Sequence, residues 1–483
     1  MAAIPAPRAA RPRELRLAVL LAALVLSAAC RHAPRGSTSA ARFWLTELDR
    51  SALFARQPDL GGGGAAPETL VTVDAARRYQ SMEGFGFCLT GGSAMLIHRM
   101  SPVKRAALLR ELFSPEDGIG TSYLRVSVGS SDLDERVFSY DDLPPGETDP
   151  GLAKFSLAAD REHLIPVLKE ILALVPDLRI MASPWSPPPW MKDNASPIGG
   201  SLRPEFRAAY ADYLVKYVRG MADEGVRIDA LTIQNEPLNP DNNPSMVMKA
   251  SEQAAFLRDR LGPALAAAGL PVKILLYDHN ADRTDYPLEI LADPAARRYA
   301  AGSAFHLYGG VIENLTKVHD AYPDKDLYFT EQWVGAPADF AGELAWHTDN
   351  LVIGAPRNWC RTVLEWNLAS DPRQRPHTDK GGCDRCLGAV TIDGDEVARN
   401  PAYYIVAHAA KFVRPGSVRI ASNEPEGLRD VAYRTPDGNF VLVARNGGKS
   451  PRTFAIRQGG RSFNARLNAG AVGTFVWKDV DSR

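Results

Sequence analysis

From residue 84 to residue 411 the chain repeats one rhythm: a short apolar run, a polar turn, then an amphipathic helical stretch. Strand-like runs fall at residues 84–89, 123–128, 179–183, 230–234, 273–277, 303–308, 327–330 and 362–366. Most are continuously apolar rather than alternating, as expected of parallel strands covered on both faces. Helical spacing fills most of the gaps, at 160–173, 204–222, 251–268 and 338–353. Ser101-Pro102 supplies an N-cap and a first-turn proline for a helix over 103–113. Eight β-then-α units predict a (β/α)8 TIM barrel, in the α/β class. An open, doubly wound sheet has the same rhythm, but no Gly-rich dinucleotide fingerprint supports it here.

The flanks follow other rules. Residues 412–483 carry short β-type runs at 418–420, 430–433, 440–444, 453–456 and 473–477. Turns such as Pro436-Asp437-Gly438 and Asn446-Gly447-Gly448 separate them, which predicts an antiparallel all-β sandwich. Segments near 42–48 and within 67–83 complete the same sheets, so the sandwich is discontinuous in sequence. The rest of 31–66 reads as linker, with Gly61-Gly62-Gly63-Gly64 near its end.

Residues 1–30 have the anatomy of an export signal: Arg8, Arg11, Arg13 and Arg16, then an apolar run over 17–26, then Ser27-Ala28-Ala29-Cys30. The apolar run is short for a membrane span. A Cys after Ala-Ala resembles a bacterial lipoprotein signal, which makes Cys30 a candidate lipidation site and membrane anchor. Ordinary signal-peptidase cleavage is the other reading. Either places the protein in the periplasm, on the outer membrane or outside the cell. Of five cysteines, four lie beyond Cys30. Cys383 and Cys386 have C-x-x-C spacing, but only His377 and Asp379 stand near as further zinc ligands. A short-loop disulfide or two free thiols suits them better than metal. Lys+Arg is 56 against 57 Asp+Glu, so no basic field for nucleic acid exists.

In a barrel of this kind chemistry sits at the C-terminal ends of the strands. The fourth run ends Gln234-Asn235-Glu236-Pro237 and the seventh ends Thr330-Glu331-Gln332-Trp333. Either glutamate alone reads as a solvated loop residue. Together they would face each other across the barrel mouth. A facing pair is what retaining glycoside hydrolysis uses: one carboxyl protonates the leaving oxygen, the other attacks the sugar carbon, at a separation of about 5–5.5 Å. Other strand ends carry Arg125, Asp132, Trp185, His306, Tyr308, Trp366 and Asn367. Aromatic faces stack on sugar rings and the polar groups bind hydroxyls, although each could also be core packing or a structural ion pair.

The set Gly84-Phe85-Gly86, Arg125 with Asp132, Ser183-Pro184-Trp185, Asn235-Glu236-Pro237, His306-x-Tyr308, Glu331 and Trp366-Asn367 resembles glycoside hydrolase family 30, which includes glucosylceramidases and endo-β-1,6-glucanases. The resemblance spans roughly residues 42–480 and implies a barrel with an attached sandwich. It implies Glu236 as acid/base, Glu331 as nucleophile, and Asn235 on the sugar 2-hydroxyl. It further implies Arg125 orienting the nucleophile region, Asp132, Trp185 and Trp366 gripping the terminal glucose, and His306 and Tyr308 beside the nucleophile. The loop over 238–246, the 89–94 segment and the Cys383–Cys386 stretch look more like the β-1,6-glucanase branch than the glucosylceramidase branch. The expected activity is retaining hydrolysis of a β-1,6-glucan or β-glucoside without metal or organic cofactor. Glucosylceramide is the alternative substrate. A catalytically inactive carbohydrate-binding lipoprotein is the rival from another class.

Overall fold

A computed structural model describes residues 2–3, 40–62 and 67–478. Cys30 and all of the expected signal but residues 2–3 lie outside the described residues. Among the described residues no helix is long and apolar enough to cross a membrane.

Eight parallel strands close into a barrel: Gly84–Cys88, Tyr123–Val128, Arg179–Pro184, Ala230–Thr232, Lys273–Asn280, Ala300–His306, Asp326–Glu331 and Cys360–Asn367. All eight expected runs are strands. Inside the closed end, Tyr123, Met181, Ala230, Leu275, Ala304, Tyr328 and Leu364 form a packed apolar plug, so the barrel is a core and not a pore. Strand one approaches strand two so closely that a Cβ on Gly86 would stand 1.9 Å from the Tyr123 carbonyl oxygen.

Helices follow the expected positions but are interrupted. The 251–268 stretch is Ala250–Phe256, a π-helical turn over Leu257–Leu261, and Gly262–Ala267. The 338–353 stretch is Phe340–His347 followed by a π turn over Thr348–Gly354. Pro263 and Pro356 lie just beyond these turns. A proline gives no N–H to the carbonyl four residues earlier and crowds it, so the helix widens locally. Ser101 does precede a helix, Pro102–Phe113, yet its side chain makes no capping bond; its backbone N–H goes to Asp395 instead.

The second unit is a nine-stranded sheet in the order Ala55–Leu60, Ala41–Thr46, Val472–Lys478, Asn439–Asn446, Leu428–Arg434, Val418–Ser422, Thr69–Ser81, Arg452–Gln458, Arg461–Leu467. It curls into a sandwich around its own core, where Phe43 stacks on Phe475 at 4.7 Å beside Phe454 and Trp477. The two ends meet through a bridge between Gly62 and Phe463. Two strands of this sheet escaped the sequence reading. Ala55–Leu60 lies in the stretch expected as linker; it is a mostly solvated strand containing Pro58, which an edge tolerates. Arg461–Leu467 did carry a period-two signal, burying Phe463, Ala465 and Leu467. The last barrel helix, Pro401–Ala410, joins the units: buried His408 bonds Thr46 Oγ1 at 2.8 Å and Thr474 Oγ1 at 2.9 Å.

Candidate active site

The chain leaves strand four in a sharp turn. Gln234 Nε2 donates to the Trp185 carbonyl at 2.6 Å, and the Asn235 and Glu236 amides donate to the Pro184 and Asp278 carbonyls. Glu236 is thereby held at φ 44°, a left-handed conformation that costs a non-glycine residue about 1–3 kcal/mol. The turn aims its carboxylate into the barrel mouth. Glu331 ends strand seven opposite it. A carboxylate oxygen of each, and a ring nitrogen of His306, lie within 4.8 Å of one another. These three also form the one cluster of metal-ligand type found among the described residues. Both oxygens of Glu331 and one of Glu236 already accept from protein donors, and both ring nitrogens of His306 face carboxylates.

Glu331 accepts from Arg125 Nη1 at 2.6 Å on one oxygen and from the Tyr308 hydroxyl at 3.0 Å on the other. Glu236 accepts from Asn239 Nδ2 at 2.7 Å and Asn242 Nδ2 at 3.2 Å, and its other oxygen faces His306 at 3.4 Å and His279 at 3.7 Å. Arg125 is fully buried and organises the floor: besides Glu331 it reaches Asp278 at 2.8 Å, Asn235 Oδ1 at 2.7 Å and Ser183 Oγ at 3.0 Å. Its guanidinium lies 4.8 Å from the Trp185 ring, which stacks on Trp366 at 5.5 Å.

Sequence reasoning missed Asn239, Asn242 and His279 beside Glu236, and above all Asp278. It is wholly buried and joins Arg125, His306, Ser183, Thr232 and Thr330. The strand-five run was expected to stop at Tyr277, but pairing continues to Asn280 with Tyr277 and Asp278 at φ 71° and 66°. That bulge turns the Asp278 side chain inward. The available signal was Asp278-His279-Asn280, a polar triplet after an apolar strand.

Electrostatics follow from this packing. Burial opposes the charge on Asp278, but Arg125, then His306 and Thr232, hold its carboxyl well below the usual range. Burial likewise disfavours a charged His306, yet the charge of Glu331 and the bonds to Asp278 and Glu236 outweigh it and raise the ring to about 9. Burial pushes Glu236 up, and the bond and charge of His306, with His279 and Asn239, overcome it and hold it at about 2. Glu331 is raised, chiefly by burial, against the pull of His306 and Arg125. His306 is therefore the chief group that holds Glu236 low. The two groups face each other at 3.4 Å and shift each other's pKa in opposite directions, so they titrate as a coupled pair. Asp132 is lifted to about 7 by burial and by the charge of Glu331.

A cleft of about 560 Å³ opens over these groups, lined among others by Asp132, Glu236, Tyr308, Glu331, Trp333 and Trp366. Arg125, Asn235, His306 and Trp185 lie beneath or behind that lining. Asn367 does not line it. Its side chain accepts from Ser93 Oγ at 2.8 Å and donates to the Cys386 carbonyl at 3.5 Å, joining scaffold to the cleft rim. Cys383 and Cys386 form a disulfide at that rim. The other two cysteines of the described residues, Cys88 and Cys360, are buried free thiols.

The chain is similar to known proteins in sequence and fold. The family description "Glycosyl hydrolase family 30 TIM-barrel domain" matches residues 82–413, and "Glycosyl hydrolase family 30 beta sandwich domain" matches residues 416–475. An endo-1,6-beta-D-glucanase of Neurospora crassa is 34% identical over 80% of this chain and 83% of its own length. The lysosomal acid glucosylceramidase of Mus musculus is 29% identical over 85% of this chain and 83% of its own. A solved endo-beta1,6-glucanase superposes with a TM-score of 0.86 at 34% identity, covering 91% of this chain and 99% of that one. With barrel, sandwich and a facing glutamate pair all in place, the chain belongs to glycosyl hydrolase family 30 and is a glycosidase.

Proposed function

We propose that this glycosidase is a retaining endo-β-1,6-glucanase in which Glu331 is the nucleophile and Glu236 the acid/base. The observation that carries the reading is the pair of carboxylates within 4.8 Å, with donors on both oxygens of Glu331. Oxygens that close suit direct attack by one carboxylate better than the wider spacing, about 6.5–9.5 Å, that inverting enzymes keep for a water. Arg125 and Tyr308 favour ionised Glu331, which attacks the anomeric carbon. Glu236 takes the proton that faces it on His306 and delivers it to the departing oxygen, so a glycosyl–Glu331 ester forms as the glycosidic bond breaks. Glu236 then removes a proton from water, which attacks the same carbon and frees Glu331. Asp132, Trp185 and Trp366 are assigned to the glycone sugar and Asn235 to its 2-hydroxyl.

The preference for β-1,6-glucan rests on the named glucanase relatives at 31% and 34% identity and on the solved glucanase. Purified protein lacking residues 1–30 should convert β-1,6-glucan to short oligosaccharides and leave glucosylceramide intact. The first product seen by NMR should be the β-anomer. Glucose and ceramide from the lipid alone would overturn the substrate assignment while keeping the glutamate pair; an α-anomer first would overturn retention. Export is part of the same proposal, supported by the signal anatomy and by a disulfide that persists in oxidising compartments. Mass spectrometry of the mature N-terminus tests whether Cys30 begins it and carries lipid.

A further inference from the structure

The Cys383–Cys386 disulfide sits where four strand-end loops converge. The Cys383 amide donates to Asp132 Oδ2 at 3.3 Å, and the nearby Thr378 amide donates to the Asp132 carbonyl at 2.8 Å, so side chain and backbone of Asp132 are both held by this one loop. Cys386 pairs in a small ladder with Gly335, four residues beyond Glu331. Its carbonyl receives the Asn367 amide from the end of strand eight. On the side of the loop after Glu236, Thr378 Oγ1 donates to the Asn243 carbonyl at 2.5 Å and Asn243 Nδ2 donates to the Asp379 carbonyl. Gly381 packs so tightly there that a Cβ would lie 2.5 Å from the Asp241 carbonyl oxygen. Cys386 is buried with Cys88, Leu133, Trp185 and Trp366, while Cys383 is half-buried and both line the cleft.

We propose that the Cys383–Cys386 disulfide is a positioning element for the glycone sugar, acting through Asp132, so that a reducing dithiol weakens substrate binding reversibly. This rests on the proposed assignment of Asp132 to the sugar. The physical reason is local. Asp132 is a buried carboxyl, and its side chain is oriented by an amide of a loop rich in glycine, Gly381-Gly382, that has little rigidity of its own. The cross-link removes conformational freedom from that loop and fixes where the Cys383 N–H points. A dithiol supplies two electrons and two protons, cleaves the S–S bond to two thiols, and is itself oxidised to a cyclic disulfide. Cys88 and Cys360 are already thiols and are buried, so they do not report on this step.

The test measures the Kd of a glucose-shaped iminosugar by calorimetry, and KM and kcat on β-1,6-glucan and on an activated aryl β-glucoside. Oxidised enzyme, enzyme treated with dithiothreitol, and C383S/C386S are compared in wild-type and D132A backgrounds. Reduction should raise Kd and KM about tenfold with kcat nearly unchanged, the signature of lost uniform binding. Reoxidation should restore both. In D132A the reduction should have no further effect. Unchanged Kd on reduction, or an equal loss in both backgrounds, would overturn the proposal. Because calorimetry needs no turnover, an enzyme inactive on the glucan would defeat the substrate reading without deciding this one.

Discussion

Glu331 holds two donors at once, the Arg125 guanidinium and the Tyr308 hydroxyl, and both stabilise its ionised form. E331Q keeps the shape but removes the nucleophile, so turnover should fall by at least about 10³-fold with folding intact. Near-wild-type rates on the aryl glucoside would remove Glu331 from its role. His306 sets a second expectation. It lies between Asp278 and Glu236 and is raised to about 9, so it retains the proton that faces Glu236 until alkaline pH. Activity requires that proton, and the active form is lost as pH rises through the pKa of the pair. In H306N the proton has only Glu236 to rest on, and a carboxyl releases it at lower pH. The alkaline limb of kcat/KM should therefore move down. A limb that stays in place would show that His306 takes no part in holding the proton.

Strand-scale packing depends on glycine where two strands nearly touch. Gly86 belongs to strand one, is fully buried, and leaves no space between itself and the Tyr123 carbonyl. G86A forces strands one and two apart at the edge that leads to Arg125. It should cost about 2 kcal/mol or more in urea unfolding. A variant as stable as wild type would mean the strands relax freely, contrary to the packing of a barrel core. The π turns before Pro263 and Pro356 teach the same lesson for helices: residue spacing places the helix, and a single proline decides where its ladder widens.

The two units are joined by buried chemistry as well as by apolar contact. His408, on the last barrel helix, bonds hydroxyls of the first and last strands of the sequence-distant sheet. Burial holds its ring down at about 3. The unfolded ring takes a proton near pH 6.5 while the folded ring does not, so this residue's contribution is intact above about pH 6.5 and declines as pH falls toward about 3. H408L should lose about 1–2 kcal/mol at neutral pH through the missing hydrogen bonds. Its stability should also fall less steeply than wild type between pH 7 and pH 4. Parallel slopes in thermal melts across that range would show that His408 titrates freely in the fold.

Much of this molecule follows from local pattern. Continuous apolar runs bounded by polar turns placed all eight barrel strands, because burial on both faces leaves that mark in adjacent residues. The same runs showed which residues close them, so Glu236 and Glu331 were legible as a facing pair. Sandwich strands with clear turns were legible too, while Ala55–Leu60, polar and solvated, carried no apolar signal. Tertiary structure alone decided the rest. Arg125 meets Glu331 across 206 positions and Asp278 across 153, and no local pattern encodes such meetings. Asp278 turns inward only because a bulge shifts the pairing of strands five and six. Asn239 and Asn242 reach Glu236 only because its backbone is held at φ 44° by partners in strands three and five. Apolar burial is written in neighbours along the chain, whereas the direction of a polar side chain is set by whichever distant groups satisfy it.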